Sequence, residues 1–170
     1  TLRSYVKEIQ LLMRDIVREQ EEKRKSELDA LQSQINPHFL YNTLDSVVWM
    51  IEGKRHEDAV LMITRLASLF RISLSGGKTV ISMEAELQHA ENYMNIQKVR
   101  FKNSFRMRYE IDPAVRNYCT VKLILQPILE NAIYYGVKGM EDEGEILLRA
   151  ELADGELVLT VRDNGYGIPA

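Results

Sequence analysis

Apolar side chains recur at heptad spacing at the start of the chain: Leu2, Ile9 and Ile16, with Tyr5 and Leu12 between them. This is the pattern of a coiled-coil seam. From Arg18 to Glu27 nearly every residue is charged and the seam fades, then Leu28, Leu31 and Ile35 restart it. Val17 to Leu28 spans eleven residues, the spacing of a stutter that locally unwinds a coil. Helical periodicity continues to residue 52, so residues 1–52 predict one helix, about 75 Å long. Pro37 is expected to kink it from within, freeing the carbonyl of Ser33. A helix of that length outreaches its own small domain and predicts a parallel dimeric coil rather than a solvated surface helix.

Gly53, Lys54 and Arg55 offer a turn. Between Ala59 and Leu74, eleven of sixteen residues are apolar, including Ile63, Leu66 and Phe70. So wide a face suits a helical hairpin that dimerises into a four-helix bundle. Ser75-Gly76-Gly77 then stops the helix and marks a domain boundary.

The remainder alternates between patterns. Met83 to Val99 has helical periodicity, and Phe105, Met107, Tyr109 and Ile111 alternate as in a strand. Asp112-Pro113 is a turn. Val121 to Val137 reads as an apolar helix, with Pro127 in its first turn or at a kink. Glu145–Leu152 and Glu156–Arg162 read as strands joined through Ala153-Asp154-Gly155. The mixture predicts an α+β sandwich, a sheet with helices on one face.

Composition narrows the possibilities. The 170 residues carry 22 basic and 25 acidic side chains, and the net charge of -3 argues against a general nucleic-acid binder. Cys119 is the one cysteine, which excludes an internal disulfide and fits a reducing compartment. No apolar run approaches the ~20 residues of a membrane span. No glycine precedes Gly53, whereas six of the nine fall between Gly136 and Gly167, so two architectures share the chain.

Two groups of residues could carry chemistry. His38 follows Pro37, with Asn42 at i+4 and Asp45 at i+7 on the same helical stripe, where they interrupt the seam. The stripe fits either a satisfied histidine inside a bundle or a nucleophile that accepts and passes on a phosphoryl group. His56 and His89 read as surface residues. The second group joins Asn131, an amide in an apolar helix, to Asp163 at a strand end, followed by Gly165 and Gly167. An amide oxygen suits Mg²⁺ bridged to phosphates. A carboxylate can accept from an exocyclic amine, and glycines admit a flat base; a plain turn is the alternative for Asp163-Asn164-Gly165. Glu130 points about 100° away from Asn131. Tyr134 and Tyr135 share the face of Asn131, for core packing or for contact with a nucleotide.

The segment Leu31-Gln32-Ser33-Gln34-Ile35-Asn36-Pro37-His38-Phe39-Leu40-Tyr41-Asn42-Thr43-Leu44 closely resembles the phosphoacceptor segment of the LytS/YesM-type sensor histidine kinases. Tyr93, Gln97, Arg100 and Phe101 resemble that family's linker-side helix. Leu125 to Gly136 resembles its N-box, and Asp163 to Ile168 its first glycine box. The likeness runs over residues ~28–168.

The resemblance implies a signalling coiled coil over 1–27, a dimerisation and phosphoacceptor hairpin over 28–76, and part of a GHKL (Bergerat) ATP-binding domain over 79–170. It implies that His38 accepts the γ-phosphoryl of ATP and that Asn42 has a positioning or phosphatase role. Asn131 would hold Mg²⁺ against the phosphates, Tyr135 would border the nucleotide, Asp163 would read the adenine amine, and Gly165 and Gly167 would shape the pocket. The partners implied are a second copy of the chain, a response-regulator aspartate, and an upstream sensor region in a membrane-anchored bacterial protein whose transmitter portion is cytoplasmic. Phe39 stands where better-known histidine kinases carry an acidic residue, so no general base is named. Tyr135 stands where the family more often has histidine before Gly136, and Tyr134 where a basic residue is frequent, so no phosphate contact is assigned to that turn. The family's lid and second glycine box are expected beyond Ala170, so these residues alone are expected to bind ATP weakly. The alternatives are a non-catalytic dimeric relay and, more distantly, a GHKL-type ATPase.

Overall fold

The computed structural model describes residues 2–34 and 36–167, with side chains described over 7–24 and 36–167. The chain divides into two compact units, Thr1–Tyr41 and Asn42–Ala170.

The first unit contains α1 (Leu2–Gln34) and the first turn of α2 (Pro37–Glu52). Ile9, Leu12 and Ile16 of the expected seam are each more than half exposed among the described residues. The seam positions Leu2, Tyr5, Leu28, Leu31 and Ile35 lie outside the described side chains.

The expected single helix through Pro37 is corrected: α2 is a new helix that begins at Pro37. Asn36 caps it, its Oδ1 accepting from the backbone N–H groups of His38 (3.1 Å) and Phe39 (3.3 Å). The Asn36 carbonyl accepts the first intrahelical bond from Leu40 N–H at 3.1 Å. Proline at the first helical position loses nothing, because the N–H it lacks would have no intrahelical partner there. Asn-Pro is therefore a helix start, where an interior proline would have cost about 3 kcal/mol.

The second unit continues α2 and adds α3 (His56–Leu74), α4 (Met83–Arg100) and α5 (Leu125–Asn131), with strands β1 (Val80–Ser82), β2 (Phe105–Ile111), β3 (Cys119–Val121), β4 (Gly144–Ala153) and β5 (Glu156–Asp163). Three residues, Gly53–Arg55, separate α2 from α3, and Lys54 takes a positive φ of 60° in that turn. Ser75-Gly76-Gly77 ends α3 as expected, with Gly76 and Gly77 both at positive φ.

By length and hydropathy, His56–Gly77 is apolar enough to cross a membrane, which corrects the expectation that no run approaches a span. The core helix of a globular unit has the same length and composition. Here Ala59, Met62, Leu66, Leu69 and Ser73 of α3 are buried, and α3 packs along α4.

β2, β4 and β5 form a mixed sheet in the order β2-β4-β5: β2 runs parallel to β4, and β5 antiparallel to it. Gly144, Ile146, Leu148 and Ala150 of β4 alternate as its buried face. Met94 and Ile96 of α4, Leu125 and Leu129 of α5, and Ile133 just after it are nearly inaccessible to solvent, and β4 packs against residues 132–137. On the open face, Glu110 and Arg149 stand directly opposite across the parallel pair and form an ion pair of 2.5 Å. The β4–β5 turn at Asp154-Gly155 carries two positive φ values, the geometry of a tight hairpin.

The helix expected from Val121 starts later. Residues 119–121 are instead a strand, β3, paired antiparallel with β1, a two-stranded element absent from the sequence reading. Leu123 then takes a φ of 62°, and α5 begins at Leu125 with Pro127 in its first turn. The buried Glu86 of α4 fixes that start, its carboxylate accepting from Leu123 N–H (2.8 Å) and Leu125 N–H (3.0 Å). Such bonds satisfy donors that a helix N-terminus leaves open.

Candidate functional site

α5 sets the geometry of the site. Immediately after Asn131 the helix widens into a π-helical turn, Ala132–Val137, in which Lys138 N–H reaches the carbonyl of Ile133 at 2.9 Å. π turns inside helices cluster at functional sites because they re-aim side chains. Here Leu129 and Ile133 stay in the core while Asn131 and Tyr135 are turned to the exposed side.

That side borders a cavity of ≈ 510 Å³ lined by Ile128, Asn131, Ala132, Tyr135, Gly136, Val161, Asp163 and Gly167. Four of the five residues expected to bind nucleotide therefore line one space: Asn131, Tyr135, Asp163 and Gly167. The fifth, Gly165, lies against the backbone of Gly136, where a β-carbon would overlap it. Gly136 in turn leaves room for Asp163, whose Oδ1 would lie 2.6 Å from a β-carbon at that position. Asp163 Oδ1 also accepts the Gly165 N–H at 2.9 Å, which holds the carboxylate at the strand end. Apolar walls with a few fixed polar groups are the usual build of a small-molecule pocket.

Glu130 faces away from this cavity, as its helical angle predicts. Gln126 Nε2 donates to it at 3.0 Å, and its carboxylate faces the phenol of Tyr93. Burial, together with the Glu130 charge, keeps that phenol protonated well above the usual tyrosine range, against a weaker opposing pull from Gln97. Tyr134 is half-buried, edge-on to Phe101 with centroids 5.8 Å apart, and its hydroxyl accepts from Arg100 Nη1 at 2.9 Å.

His38 is exposed at the second position of α2, and Asn42 follows one turn later, in the second unit. Asn42 is not among the residues lining the cavity. His56 is exposed as expected.

His89 departs from its expected surface position: it is fully buried. Its Nε2 lies 2.9 Å from Ser73 Oγ, which itself donates to the carbonyl of Leu69 at 2.9 Å. The hydroxyl's proton is thus committed, so Nε2–H is the donor to it, and Nδ1 is left with no partner among the described residues. Burial lowers the His89 pKa to about 4. Packing of α3 over α4 hides this face, a contact that the period of α4 alone does not report.

Sequence reasoning also passed over Gly136, Ile128 and Val161 as lining residues and Glu86 as the anchor of α5. For Gly136 a signal existed, a glycine ending an apolar helix directly after a tyrosine pair; for Glu86 there was none.

The helical segment carries an exposed histidine at a helix start, and the α+β unit that follows it in the chain holds an amide- and carboxylate-lined cavity. The histidine kinase family model matches residues 26–105. The chain is 37% identical over 163 residues to the sensor histidine kinase YesM of Bacillus subtilis, covering 96% of this chain and 28% of that protein. It is 33% identical over 147 residues to the sensor protein LytS of Staphylococcus saprophyticus (86% of this chain, 25% of that protein). It is 31% identical over 160 residues to the sensor histidine kinase BtsS of Escherichia coli (91% and 28%). The chain belongs to the sensor histidine kinases of the LytS/YesM type. It spans about a quarter of the length of these relatives.

Proposed function

We propose that the protein is an ATP-dependent autokinase of a two-component system that phosphorylates His38 and passes the phosphoryl group to a response-regulator aspartate. The observation that carries this reading is the convergence of Asn131, Tyr135, Asp163 and Gly167 on one cavity. In it Asp163, held by the Gly165 N–H, would accept from the adenine amine, and Asn131 would offer its amide oxygen to Mg²⁺ on the phosphates. Among the described residues there is no cluster of three or more His, Cys, Asp or Glu for a metal. A divalent ion at Asn131 would therefore be held chiefly by the nucleotide's phosphates and water, as Mg²⁺ commonly is.

In the transfer, a ring nitrogen of His38 attacks the γ-phosphorus, and the bond to the ADP oxygen breaks as the P–N bond forms. His38 suits the acceptor role by exposure and by place. A phosphoryl group there would sit at the N-terminal turn of α2, where the helix dipole favours negative charge. The apolar faces left open on α2 and α3, with Leu44, Val48, Trp49, Val60 and Ile63 each exposed, support a dimeric four-helix bundle as the working state. Domain boundaries at 27/28 and near 77–79, a coil over 1–27, and a membrane-anchored sensor whose transmitter faces the cytoplasm complete the proposal.

The test is incubation of the full-length protein with γ-labelled ATP and Mg²⁺. Acid-labile, alkali-stable label that disappears in His38→Gln supports the reading. A folded, nucleotide-binding protein that takes up no label, or label that survives in His38→Gln, rejects it.

A further inference from the structure

Tyr93, Gln97 and Arg100 stand out in the sequence, yet none of them lines the cavity. Glu86, Tyr93, Gln97 and Arg100 occupy one face of α4, spaced by seven, four and three residues. Every one of them engages α5, its approach or its π turn, directly or through a neighbour. Glu86 holds the α5 start by two backbone N–H groups. Tyr93 faces Glu130, the residue before Asn131. Gln97 Nε2 donates to Tyr93 Oη at 2.6 Å, and Arg100 Nη1 lies 3.5 Å from Gln97 Oε1 and 2.9 Å from Tyr134 Oη. Tyr93 and Gln97 are each only 1% exposed, so this polar row is built into the core rather than solvated.

The row grips the helix on both sides of Asn131, at Glu130 and at Tyr134. Between those two grips the backbone passes from α to π geometry. A π turn is not the helix's preferred state and persists where its surroundings fix it. The burial of Leu129 and Ile133 is apolar and non-directional, whereas the hydrogen bonds of the row are directional and fix one orientation.

We infer that the Tyr93–Gln97–Arg100–Tyr134 row sets the aim of Asn131 into the cavity, with Arg100 and Tyr134 acting as positioning residues for Mg²⁺-nucleotide. This rests on the nucleotide reading of the cavity given above. The pairing uses a tyrosine hydroxyl as acceptor for Arg100, so phenylalanine at 134 would keep the ring on Phe101 and lose only the link.

The experiment is calorimetric titration of the full-length protein with ATP, in Mg²⁺ and in chelator, for Tyr134→Phe, Arg100→Lys, Asn131→Ala and the double variant Tyr134→Phe/Asn131→Ala. Outer contacts of this kind are worth about 10-fold or more in affinity at metal sites. Tyr134→Phe is expected to weaken Mg²⁺-dependent binding about 10-fold and to leave metal-free binding and the melting midpoint nearly unchanged. Arg100→Lys, which retains a donor, is expected to fall between wild type and Tyr134→Phe. In the Asn131→Ala background the Tyr134→Phe effect should vanish, because the row acts through Asn131. If Asn131→Ala abolishes the Mg²⁺ dependence and Tyr134→Phe does not alter it, or alters it equally in both backgrounds, the positioning role is overturned while the site reading stands. If Asn131→Ala itself leaves Mg²⁺-dependent binding intact, both fail.

Discussion

The carboxylate of Asp163 occupies the space over Gly136 that a side chain there would fill, with Oδ1 2.6 Å from the position of an added β-carbon. Two segments 27 residues apart in sequence thereby close one corner of the cavity, the end of the π turn and the end of β5. Gly165 completes the corner from the other side, where an added β-carbon would overlap the Gly136 backbone. The obstacle at Gly165 is backbone, which cannot swing aside as a long side chain can.

Gly165→Ala is therefore expected to lower stability by roughly 1–3 kcal/mol through overpacking and to open the corner that holds Asp163. Urea unfolding should show an earlier midpoint, and nucleotide affinity of the full-length protein should drop. An alanine variant with wild-type affinity and midpoint would show that the contact has no such role.

Asn36→Ala removes the acceptor for two backbone N–H groups at the start of α2 and should cost about 1 kcal/mol. Asn36→Asp, which keeps an oxygen in place, should cost much less. Amide exchange of His38 and Phe39 is the direct readout, faster in Asn36→Ala and near wild type in Asn36→Asp.

His89 gives the fold a pH dependence. Above about pH 6.5 the imidazole is neutral in folded and unfolded chains alike, and it adds no slope. As pH falls from 6.5 towards about 4, the unfolded chain binds a proton that the buried ring does not, so stability declines. The loss approaches about 3 kcal/mol and levels off below pH 4. His89→Leu should flatten this part of a stability-versus-pH curve measured by denaturant unfolding; an unchanged slope would show that the ring is not buried neutral.

Val60 of α3 is 64% exposed, so Val60→Glu should leave the single chain's fold intact. In a dimeric bundle it would bury a charge against its mate, an arrangement that costs several kcal/mol. Sedimentation should show a shift from dimer to monomer with unchanged helical circular dichroism. A dimer as tight as wild type would remove this face from the interface.

Much of the architecture was legible because it depends on local pattern. Period-two alternation located β2, the glycine-bearing turn located the β4–β5 hairpin, and Ser75-Gly76-Gly77 located the end of α3. Asn131, Tyr135, Asp163 and Gly167 could be paired across 32 residues only because the segments resemble known motifs. Periodicity alone gives no distance between them.

What remained hidden was settled by contacts between distant segments. Asn36-Pro37 is compatible with both a kink and a new helix, and the choice fell to where the asparagine side chain found its donors. β3 is too short to carry a pattern and forms because β1 is there to pair with it. His89 lies on a mixed face of α4, and only the arrival of α3 makes that face interior. The sequence by itself determined the glycine-free helical character of the first third and the residue types available for chemistry, since these follow from periodicity and side-chain identity. The tertiary structure alone decided that Glu86, Tyr93, Gln97 and Arg100 form one row against α5, and that Gly136, Asp163 and Gly165 share a corner, because hydrogen bonds and close contacts between segments exist only once packing has brought them together.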